Sequence, residues 1–378
     1  MVSNLLPPRR SSDRLLALRL DYGLIVTTFV VAVAGVIIVY SATRSKLVLA
    51  GLSPHYYLDR QAAFVVVGAV VMVVLAALDY RWLEQATWVL YAGIILALLA
   101  IFAIGSSSHG ATRWIQIGPV QLQPSAFAAV VLVVVVATFC ARRPEGLGRR
   151  DVVKLLALSA VPIVLVVKQP DLGSGIVMSV VLLVMLVVSG IANRYLLLLL
   201  VAVVAGAFAV VHLGLLQQYQ VERITSFLHP NSGLRTNTYN LHQSVAAIGA
   251  GGFWGTGLFH GSQTNLSYVP EQQTDFIFSA VGEQLGFVGA ATVLLLLGIV
   301  AWRMLRVAQI TKDPFGRLLA TGCFTLIAFS AFENAGMSMG IMPVAGIPLP
   351  FVSYGGSATV AFFAAVGIVL SVELHRQR

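Results

Sequence analysis

The sequence predicts an all-α integral membrane protein, a bundle of about ten transmembrane helices. Three observations predict this fold: an apolar composition, a succession of apolar stretches of helical length, and a one-sided distribution of basic residues. Of the 378 residues, 58% are hydrophobic and only 10% are charged, whereas a soluble domain has about 25% charged residues. A chain of this composition needs lipid as its solvent, so its length reflects the number of spans.

The apolar stretches have the length of membrane spans, since a helix needs roughly 20 residues to cross the hydrocarbon core. They fill most of the chain, so we expect one transmembrane domain over 21–378, preceded by a tail over 1–20. The predicted spans lie near 21–41, 61–79, 86–105, 124–141, 153–168, 172–191, 195–216, 275–302, 317–340 and 350–373.

The basic residues predict the orientation of the bundle. With ten spans both termini lie on one side, and the loops of that side contain seventeen of the 24 Lys and Arg residues, leaving seven for the other side. The positive-inside rule then predicts that both termini are cytoplasmic. The net charge of +9 is therefore a topology signal and a match for anionic membrane lipid, and it does not require nucleic acid as a partner.

The longest outward connection, 218–272, is predicted to be structured. Leu241, Val245 and Ile248 recur at helical spacing, which predicts a short amphipathic helix over 239–249. A glycine-rich stretch follows. We therefore expect a large structured extracytoplasmic loop between spans seven and eight.

Asp275 is the most informative ionisable residue, because charged groups in membrane spans are costly and usually functional. It begins the eighth predicted span, where its carboxylate is a candidate helix N-cap. The same position keeps a carboxylate ionised at an outward membrane edge, where it can accept a proton from a hydroxyl. Small and polar residues recur on its helical face, which predicts that Asp275 points into the bundle; these are Ser279, Gly282, Glu283 and Gly286.

Four other polar positions are candidates for substrate binding or for structure. Asp171 follows Lys168 in a predicted outward hairpin, where it can form a turn and an N-cap, or where Lys168 can pair with Asp171 or with a phosphate. Glu283 is a candidate site residue or a buried, hydrogen-bonded carboxyl group. Glu333 lies on a stripe of small and polar residues that favours close helix packing. Ser353 follows three prolines, in irregular backbone that is tolerated at membrane depth only against protein or a cavity.

The sequence gives no direct metal or nucleotide signature. The seven histidines include no pair at metal-ligand spacing, and the glycine-rich stretch lacks the lysine and the strand of a phosphate-binding loop. The position of any metal site stays unknown. The two cysteines lie in apolar stretches and are expected to be small buried hydrophobic residues.

Six stretches resemble the SEDS family of membrane proteins of bacterial wall synthesis, which includes RodA, FtsW and SpoVE. They occur in family order and are more similar to the RodA branch than to the FtsW branch. The stretches are Gly110–Ile115, Gln123–Ser125, Gln169–Gly173, Tyr239–Gly249, Pro270–Phe278 and Gly346–Ser357.

The resemblance implies a peptidoglycan glycosyltransferase of the bacterial inner membrane, active in cell-wall elongation and cell-shape maintenance. Its substrate would be lipid II, a disaccharide-peptide on undecaprenyl pyrophosphate, and its partner a class B penicillin-binding transpeptidase. A divalent cation, Mg²⁺ or Mn²⁺, would support the activity. The family's catalytic aspartate falls on Asp275 and its second sensitive aspartate on Asp171.

The implied reaction inverts the sugar configuration, because an α-linked donor becomes a β-1,4 link. Direct attack needs a base for the acceptor hydroxyl and charge stabilisation for the leaving pyrophosphate. Asp275 is the candidate base. Basic side chains on the outward side are candidate ligands of the pyrophosphate: Arg113, Lys168, Arg223 and Arg235. The alternative is that each of them contacts a lipid headgroup or a loop.

Two other functions stay open, and one departure from the family favours the first of them. The family usually has Glu and, three residues later, Lys after Gln123–Ser125, where this chain has Ala126 and Ala129. Such a pair would form a salt bridge, and its joint loss orphans no charge. A catalytically impaired scaffold for the transpeptidase is one alternative, and a lipid II flippase is another. The polar candidates cluster toward the outer half of the bilayer, which favours the enzyme.

Overall fold

A computed structural model describes residues 20–108, 111–118, 120–143, 146–199, 201 and 236–376. The chain is a helical bundle with one small sheet, so the predicted all-α membrane fold is confirmed. Its helices are α1 (Tyr22–Leu49), α2 (Tyr56–Ala77), α3 (Arg81–Ile104), α4 (Pro124–Ala141), α5 (Arg149–Lys168), α6 (Leu172–Val188), α7 (Thr236–Gly251), α8 (Ser262–Asn265), α9 (Ile277–Ile310), α10 (Pro314–Ser338) and α11 (Gly356–His375).

Most predicted spans coincide with these helices. In the part of the chain that the structure describes, seven helices have the length and hydropathy of membrane spans, and α6 is a shorter apolar helix. Helix α5 also matches its predicted span, although it begins with charged residues. The seventh span, 195–216, lies largely outside the described residues. Helix α11 begins six residues later than its predicted span, because Pro350 and Phe351, which has a positive φ of 65°, belong to the preceding turn.

A three-stranded antiparallel sheet between α3 and α4 was not predicted. Its strands are β1 (Ser106–Ser108), β2 (Ala111–Ile117) and β3 (Val120–Leu122), in the order β1-β2-β3. Residue Ile115 is paired with Leu122 across the second hairpin. The sheet lies over one end of the bundle, where it contacts α3, α4 and α11.

The helices α4, α10 and α11 form the centre of the bundle, and α2 packs along α11. Valine and leucine side chains on the outer faces of the peripheral helices are exposed, for example Val66, Val70 and Val73 on α2. An apolar outer face is the surface that a helix presents to lipid tails, which agrees with a membrane bundle.

Helix α7 confirms the predicted amphipathic helix, with a different buried face. Leu241, Ser244 and Ala247 are buried, whereas Val245 is 44% exposed. The buried face packs mainly against α9. The Ser244 hydroxyl donates to the Ser338 carbonyl at 2.8 Å, so a polar residue belongs to the packed face.

Helix α9 is interrupted at Gly286, which has φ 67° and ψ −166°. The loop after α7 supplies the hydrogen bonds that the interruption removes. Thr256 and Gly257 donate their N–H groups to the carbonyls of Glu283 and Gln284 at 3.0 Å, and Phe287 donates to the Gly252 carbonyl at 2.9 Å. Backbone N–H and carbonyl groups that a helix leaves unpaired at membrane depth need other hydrogen-bond partners. The loop provides these partners, so the interrupted form of α9 depends on it.

Replacing Gly286 with alanine is expected to lower the stability of the protein. Only glycine adopts this backbone conformation readily, and the strain for another residue is about 1–3 kcal/mol. An added Cβ would also lie 2.3 Å from the Gly255 nitrogen. Melting temperatures in detergent measure the effect. Gly298→Ala is the matched control, because a Cβ added at that position would meet no atom within 4 Å beyond the local backbone of its own helix; equal stability of the two variants would contradict the prediction.

Candidate active site

A cavity of about 450 Å³ opens at the end of the bundle that the arginine distribution predicts to face outward. Its wall is built from the N-terminal parts of α2, α4, α6 and α11, the middle of α10, the segments before α9 and α11, and strands β2 and β3. Helix N-termini carry partial positive charge and unpaired N–H groups. The convergence of several N-termini therefore favours an anionic ligand.

Four charged side chains line this cavity in the described part of the chain: Asp275, Glu271, Arg60 and Arg113. The two carboxylates come from the segment before α9. The two arginines come from α2 and from β2, on other parts of the wall. The cavity therefore combines groups that accept a proton with groups that bind an anion.

Asp275 is held in place through its backbone. Its N–H donates to the Glu271 carbonyl at 3.2 Å, and its carbonyl accepts from Asn334 Nδ2 at 2.7 Å. The same Asn334 nitrogen donates to the Ile347 carbonyl at 2.7 Å, which ties α10 to both segments. Phe276, and not Asp275, occupies the N-cap position of α9. The predicted N-cap is therefore wrong, whereas the predicted orientation toward the bundle agrees with the cavity.

Arg113 lies on β2, and the unpredicted sheet brings it to the cavity. One of its terminal nitrogens donates to the Pro170 carbonyl, which fixes the guanidinium beside the hairpin between α5 and α6. Its Nε atom is buried and has no hydrogen-bond partner. A buried donor without a partner is costly, and an anionic ligand in the cavity would relieve that cost.

Asp171 lies one layer behind the cavity wall. It is the N-cap of α6, as predicted, and its Oδ1 accepts from the Ser174 N–H at 3.2 Å. Its Oδ2 accepts from the hydroxyls of Ser125 at 2.7 Å and Ser174 at 2.8 Å, and from Gln123 Nε2 at 3.1 Å. These three donor residues line the cavity, so Asp171 orients the wall rather than facing the ligand.

A family model and several known proteins are similar to this chain over most of its length. The FtsW/RodA/SpoVE model, described as cell cycle protein, matches residues 22–378. This chain belongs to the FtsW/RodA/SpoVE family. The peptidoglycan glycosyltransferase MrdB of Escherichia coli K12 is 38% identical over 322 residues, which are 85% of this chain and 86% of MrdB.

Two solved structures share the fold of this family member. A structure described as the structural coordination of polymerization and crosslinking by a peptidoglycan synthase complex has a TM-score of 0.79, at 28% identity, over 95% of this chain and 99% of that chain. The rod shape determining protein RodA of Thermus thermophilus has a TM-score of 0.70, at 28% identity, over 95% of this chain and 98% of RodA. The likeness therefore extends over nearly the whole chain in both cases.

Glu283, a predicted substrate-binding residue, does not line the cavity of this FtsW/RodA/SpoVE chain. Its Oε1 accepts from the Gln263 N–H at 2.7 Å, and its Oε2 accepts from the Thr264 N–H at 2.9 Å and hydroxyl at 2.6 Å. Gln272 donates to both Thr264 and Ser279. These contacts agree with the predicted alternative of a buried, hydrogen-bonded carboxyl group: Glu283 holds α8, and through it the segment that carries Asp275.

Ser353 and Lys168 also lie away from the cavity wall. The Ser353 hydroxyl accepts from the Leu349 N–H at 2.8 Å and so closes the turn before α11. Lys168 is an exposed residue at the end of α5, and it forms no ion pair with Asp171. The predicted roles of both residues in substrate binding are therefore not supported by their positions. Arg223 and Arg235 lie outside the described residues.

Ala126 and Ala129 line the cavity, near the N-terminus of α4. Ala129 is 4% exposed. The Glu and Lys that the family resemblance implies at these positions would therefore belong to the cavity wall itself. In this member of the family, the corresponding part of the wall is apolar, and it continues into Val177 and Leu326.

Glu271 and Arg60 are the charged wall residues that sequence reasoning did not select. Glu271 belongs to the recognised stretch Pro270–Phe278, but its side chain reaches the wall from a backbone with φ 53°. Such a conformation is uncommon for a residue other than glycine, and no sequence signal indicates it here. In the sequence Arg60 is one of several outward basic residues, although its position directly before a predicted span was a usable signal.

Proposed function

We propose that this protein is a peptidoglycan glycosyltransferase that polymerises lipid II into β-1,4-linked glycan strands during cell-wall elongation. The observation that carries the proposal is the cavity that places Asp275 together with two arginines at the outward end of the bundle. A carboxylate in the same cavity as arginine side chains suits a reaction in which a hydroxyl loses a proton while a pyrophosphate leaves.

In the proposed reaction, Asp275 accepts the proton of the acceptor sugar's 4-hydroxyl group. The oxygen attacks the anomeric carbon of the donor sugar, on the face opposite the pyrophosphate. The bond between that carbon and the pyrophosphate oxygen breaks, and the electron pair leaves with the pyrophosphate. Arg113 stabilises the negative charge that develops there, since guanidinium groups bind phosphates by two parallel hydrogen bonds.

The family resemblance implies a divalent cation, Mg²⁺ or Mn²⁺. The cavity wall suits such an ion through its carboxylates and not through a cluster of metal ligands. In the described ranges no three His, Cys, Asp or Glu side chains form a metal cluster. Magnesium is usually held by one or two carboxylates together with substrate phosphates and water, and Glu271, the wall carboxylate that is not the candidate base, would hold it. When bound, the ion would neutralise charge on the pyrophosphate.

A class B penicillin-binding transpeptidase is the proposed partner. The solved structure with the TM-score of 0.79 concerns a complex that couples polymerization to crosslinking, and a membrane glycosyltransferase needs such a partner to produce crosslinked wall. We also infer a location in the bacterial inner membrane, with both termini in the cytoplasm. The support is the excess of basic residues on the side of the termini.

Purified protein incubated with labelled lipid II and Mg²⁺ tests the function, with and without the transpeptidase. Long glycan strands are the expected product, and EDTA is expected to reduce them until Mg²⁺ or Mn²⁺ is restored. Translocation of lipid II between leaflets without polymer would instead indicate a flippase. Binding of the transpeptidase without polymer or translocation would indicate a scaffold, the outcome to which the apolar wall at Ala126 and Ala129 is relevant.

A further inference from the structure

A group of ring side chains lies at the outward end of α1, outside the cavity. The Tyr40 and His55 rings are stacked, with centroids 5.5 Å apart, and the Phe259 ring makes a T-shaped contact with Tyr40 at 5.7 Å. The Arg44 guanidinium carbon lies 5.7 Å from the Phe259 centroid. We call these four residues the outer aromatic cluster. Arg44 and His55 are exposed and the other two are half-buried, so the cluster belongs to the outward surface.

The backbone of Phe259 is held in an uncommon conformation. Its φ is 69°, a region that bulky residues rarely occupy. Its N–H donates to Ser41 Oγ at 3.0 Å and to Gln284 Oε1 at 3.2 Å. Its carbonyl accepts from Asn265 Nδ2 at 2.9 Å, and Asn265 Oδ1 accepts from the Ser45 hydroxyl at 2.8 Å. Strained backbone that its surroundings hold in place is concentrated at functional sites, so the placement of this ring points to a binding role.

Further rings connect the outer aromatic cluster to the cavity. Tyr56 directly follows His55 and is 43% exposed. The Tyr56 ring contacts the Tyr57 ring at 5.2 Å, and the Tyr57 ring contacts the Tyr354 ring at 4.8 Å. Tyr57 and Tyr354 line the cavity, whereas the outer aromatic cluster does not. Aromatic side chains therefore extend from the cavity wall across the outward surface.

This row of rings suits a carbohydrate strand that carries acidic groups. The faces of a pyranose ring present C–H groups, which pack against the electron-rich faces of aromatic rings. A polar strand formed in the cavity cannot enter the lipid, so it has to leave across the outward surface. Each repeat of the strand carries a peptide that ends in a carboxylate, which a guanidinium such as that of Arg44 binds with two parallel donors. Anchoring at the lipid interface also uses aromatic residues, but it does not explain rings that begin inside the cavity.

We propose that the outer aromatic cluster binds the growing glycan strand outside the cavity and retains it between successive additions. The ligand is a β-1,4-linked amino-sugar strand with peptide substituents. The inference rests on the proposed function and deepens it, because it assigns a path to the product. The contacts that fix Phe259 and stack Tyr40 on His55 place the rings before the strand arrives, which lowers the entropy cost of binding.

Tyr40→Leu tests the proposal through the length of the strands formed from labelled lipid II. One aromatic contact contributes enough for its loss to speed strand release about 2- to 10-fold. Mean strand length depends on the ratio of addition to release, so we expect it to fall by a similar factor, and by more than the initial rate of lipid II consumption. His55→Ala should also shorten the strands. His55 makes no side-chain cap bond to α2, so this second variant is expected to melt in detergent like the unaltered protein.

Chitohexaose, a β-1,4-linked oligomer of N-acetylglucosamine, tests the site without catalysis. Calorimetry in detergent should show that the unaltered protein binds it, and that Tyr40→Leu weakens this binding about 2- to 10-fold. Arg44→Gln should bind chitohexaose with unchanged affinity, because this oligomer has no carboxylate. The same variant should bind uncrosslinked peptidoglycan fragments that carry peptides more weakly than the unaltered protein does.

Tyr268→Leu is the matched control. Tyr268 is 44% exposed, lies between α8 and α9 and does not line the cavity, so its loss should leave strand length unchanged. Full-length strands from both Tyr40→Leu and His55→Ala, or equal shortening in Tyr268→Leu, would overturn the proposal and leave the rings as interface anchors. So would chitohexaose affinity that is independent of Tyr40. Failure of the unaltered protein to form polymer would instead overturn the proposed function, while binding of chitohexaose that depends on Tyr40 would still support a carbohydrate site.

Discussion

Replacing Asp275 with asparagine is expected to abolish detectable polymer formation from lipid II. The amide cannot accept the proton of the attacking hydroxyl, and a positioned general base contributes about 10²- to 10⁴-fold to a rate. The hydrogen bonds from Asn334 and to Glu271 use the backbone of residue 275, so they survive the substitution. The rate of strand formation measures the effect.

The asparagine variant should elute from a sizing column, and melt in detergent, like the unaltered protein. Asp59→Asn is the matched control: Asp59 lies on the first turn of α2, is exposed and does not line the cavity. Its polymerisation rate should be unchanged. Full polymerisation by the Asp275 variant would remove Asp275 from the role of base.

The second large effect is expected for Asp171→Ala, and it should appear first in stability. The substitution removes the N-cap of α6, at a typical cost of about 0.5–2 kcal/mol. It also removes the acceptor of the buried Ser125 hydroxyl, at about 1–3 kcal/mol for a buried group, and one acceptor each from the partly buried Ser174 and Gln123 side chains. The melting temperature of Asp171→Ala in detergent should be clearly lower than that of the unaltered protein. The melting temperature of Asp171→Asn should lie between these two values, because one acceptor oxygen remains.

Asp79→Ala provides the control for this stability effect. Its carboxylate is 40% exposed, lies 3.6 Å from the Arg81 side chain and accepts from the Arg81 N–H at 3.1 Å, so its contacts are exposed ones whose loss costs about 1 kcal/mol. Polymer formation by Asp171→Ala should decrease together with its stability, because the donors of Asp171 belong to the cavity wall. Loss of activity at unchanged melting temperature would instead indicate that Asp171 contacts the substrate.

The sequence was sufficient to predict most of the spans and to single out Asp275, which lines the cavity, because both depend on local properties. An apolar stretch of helical length predicts a span by itself, and an isolated aspartate at a membrane edge is conspicuous. The amphipathic helix α7 was also predictable from its periodicity. Its buried face was not, because Ser244 is packed through a hydrogen bond to a carbonyl on α10, which no periodicity of apolar residues indicates.

The predicted substrate-binding residues that do not line the cavity share a different property. Glu283 and Ser353 are polar residues in apolar surroundings, and such residues bind either a ligand or another part of the chain. Which of these occurs depends on tertiary contacts, here Thr264 for Glu283 and Leu349 for Ser353. The sheet that carries Arg113 was missed for a similar reason, since its outer strands have only three residues each.

The interruption of α9 at Gly286 restricts insertions and deletions in the loop that pairs with it. Loops of membrane proteins usually tolerate insertions and deletions, because their ends need only remain close. The loop at 252–257 is different, since its N–H and carbonyl groups are matched one by one to those of Glu283, Gln284, Phe287 and Val288. Adding or deleting a single residue there would shift this register and leave peptide groups unpaired within the bilayer.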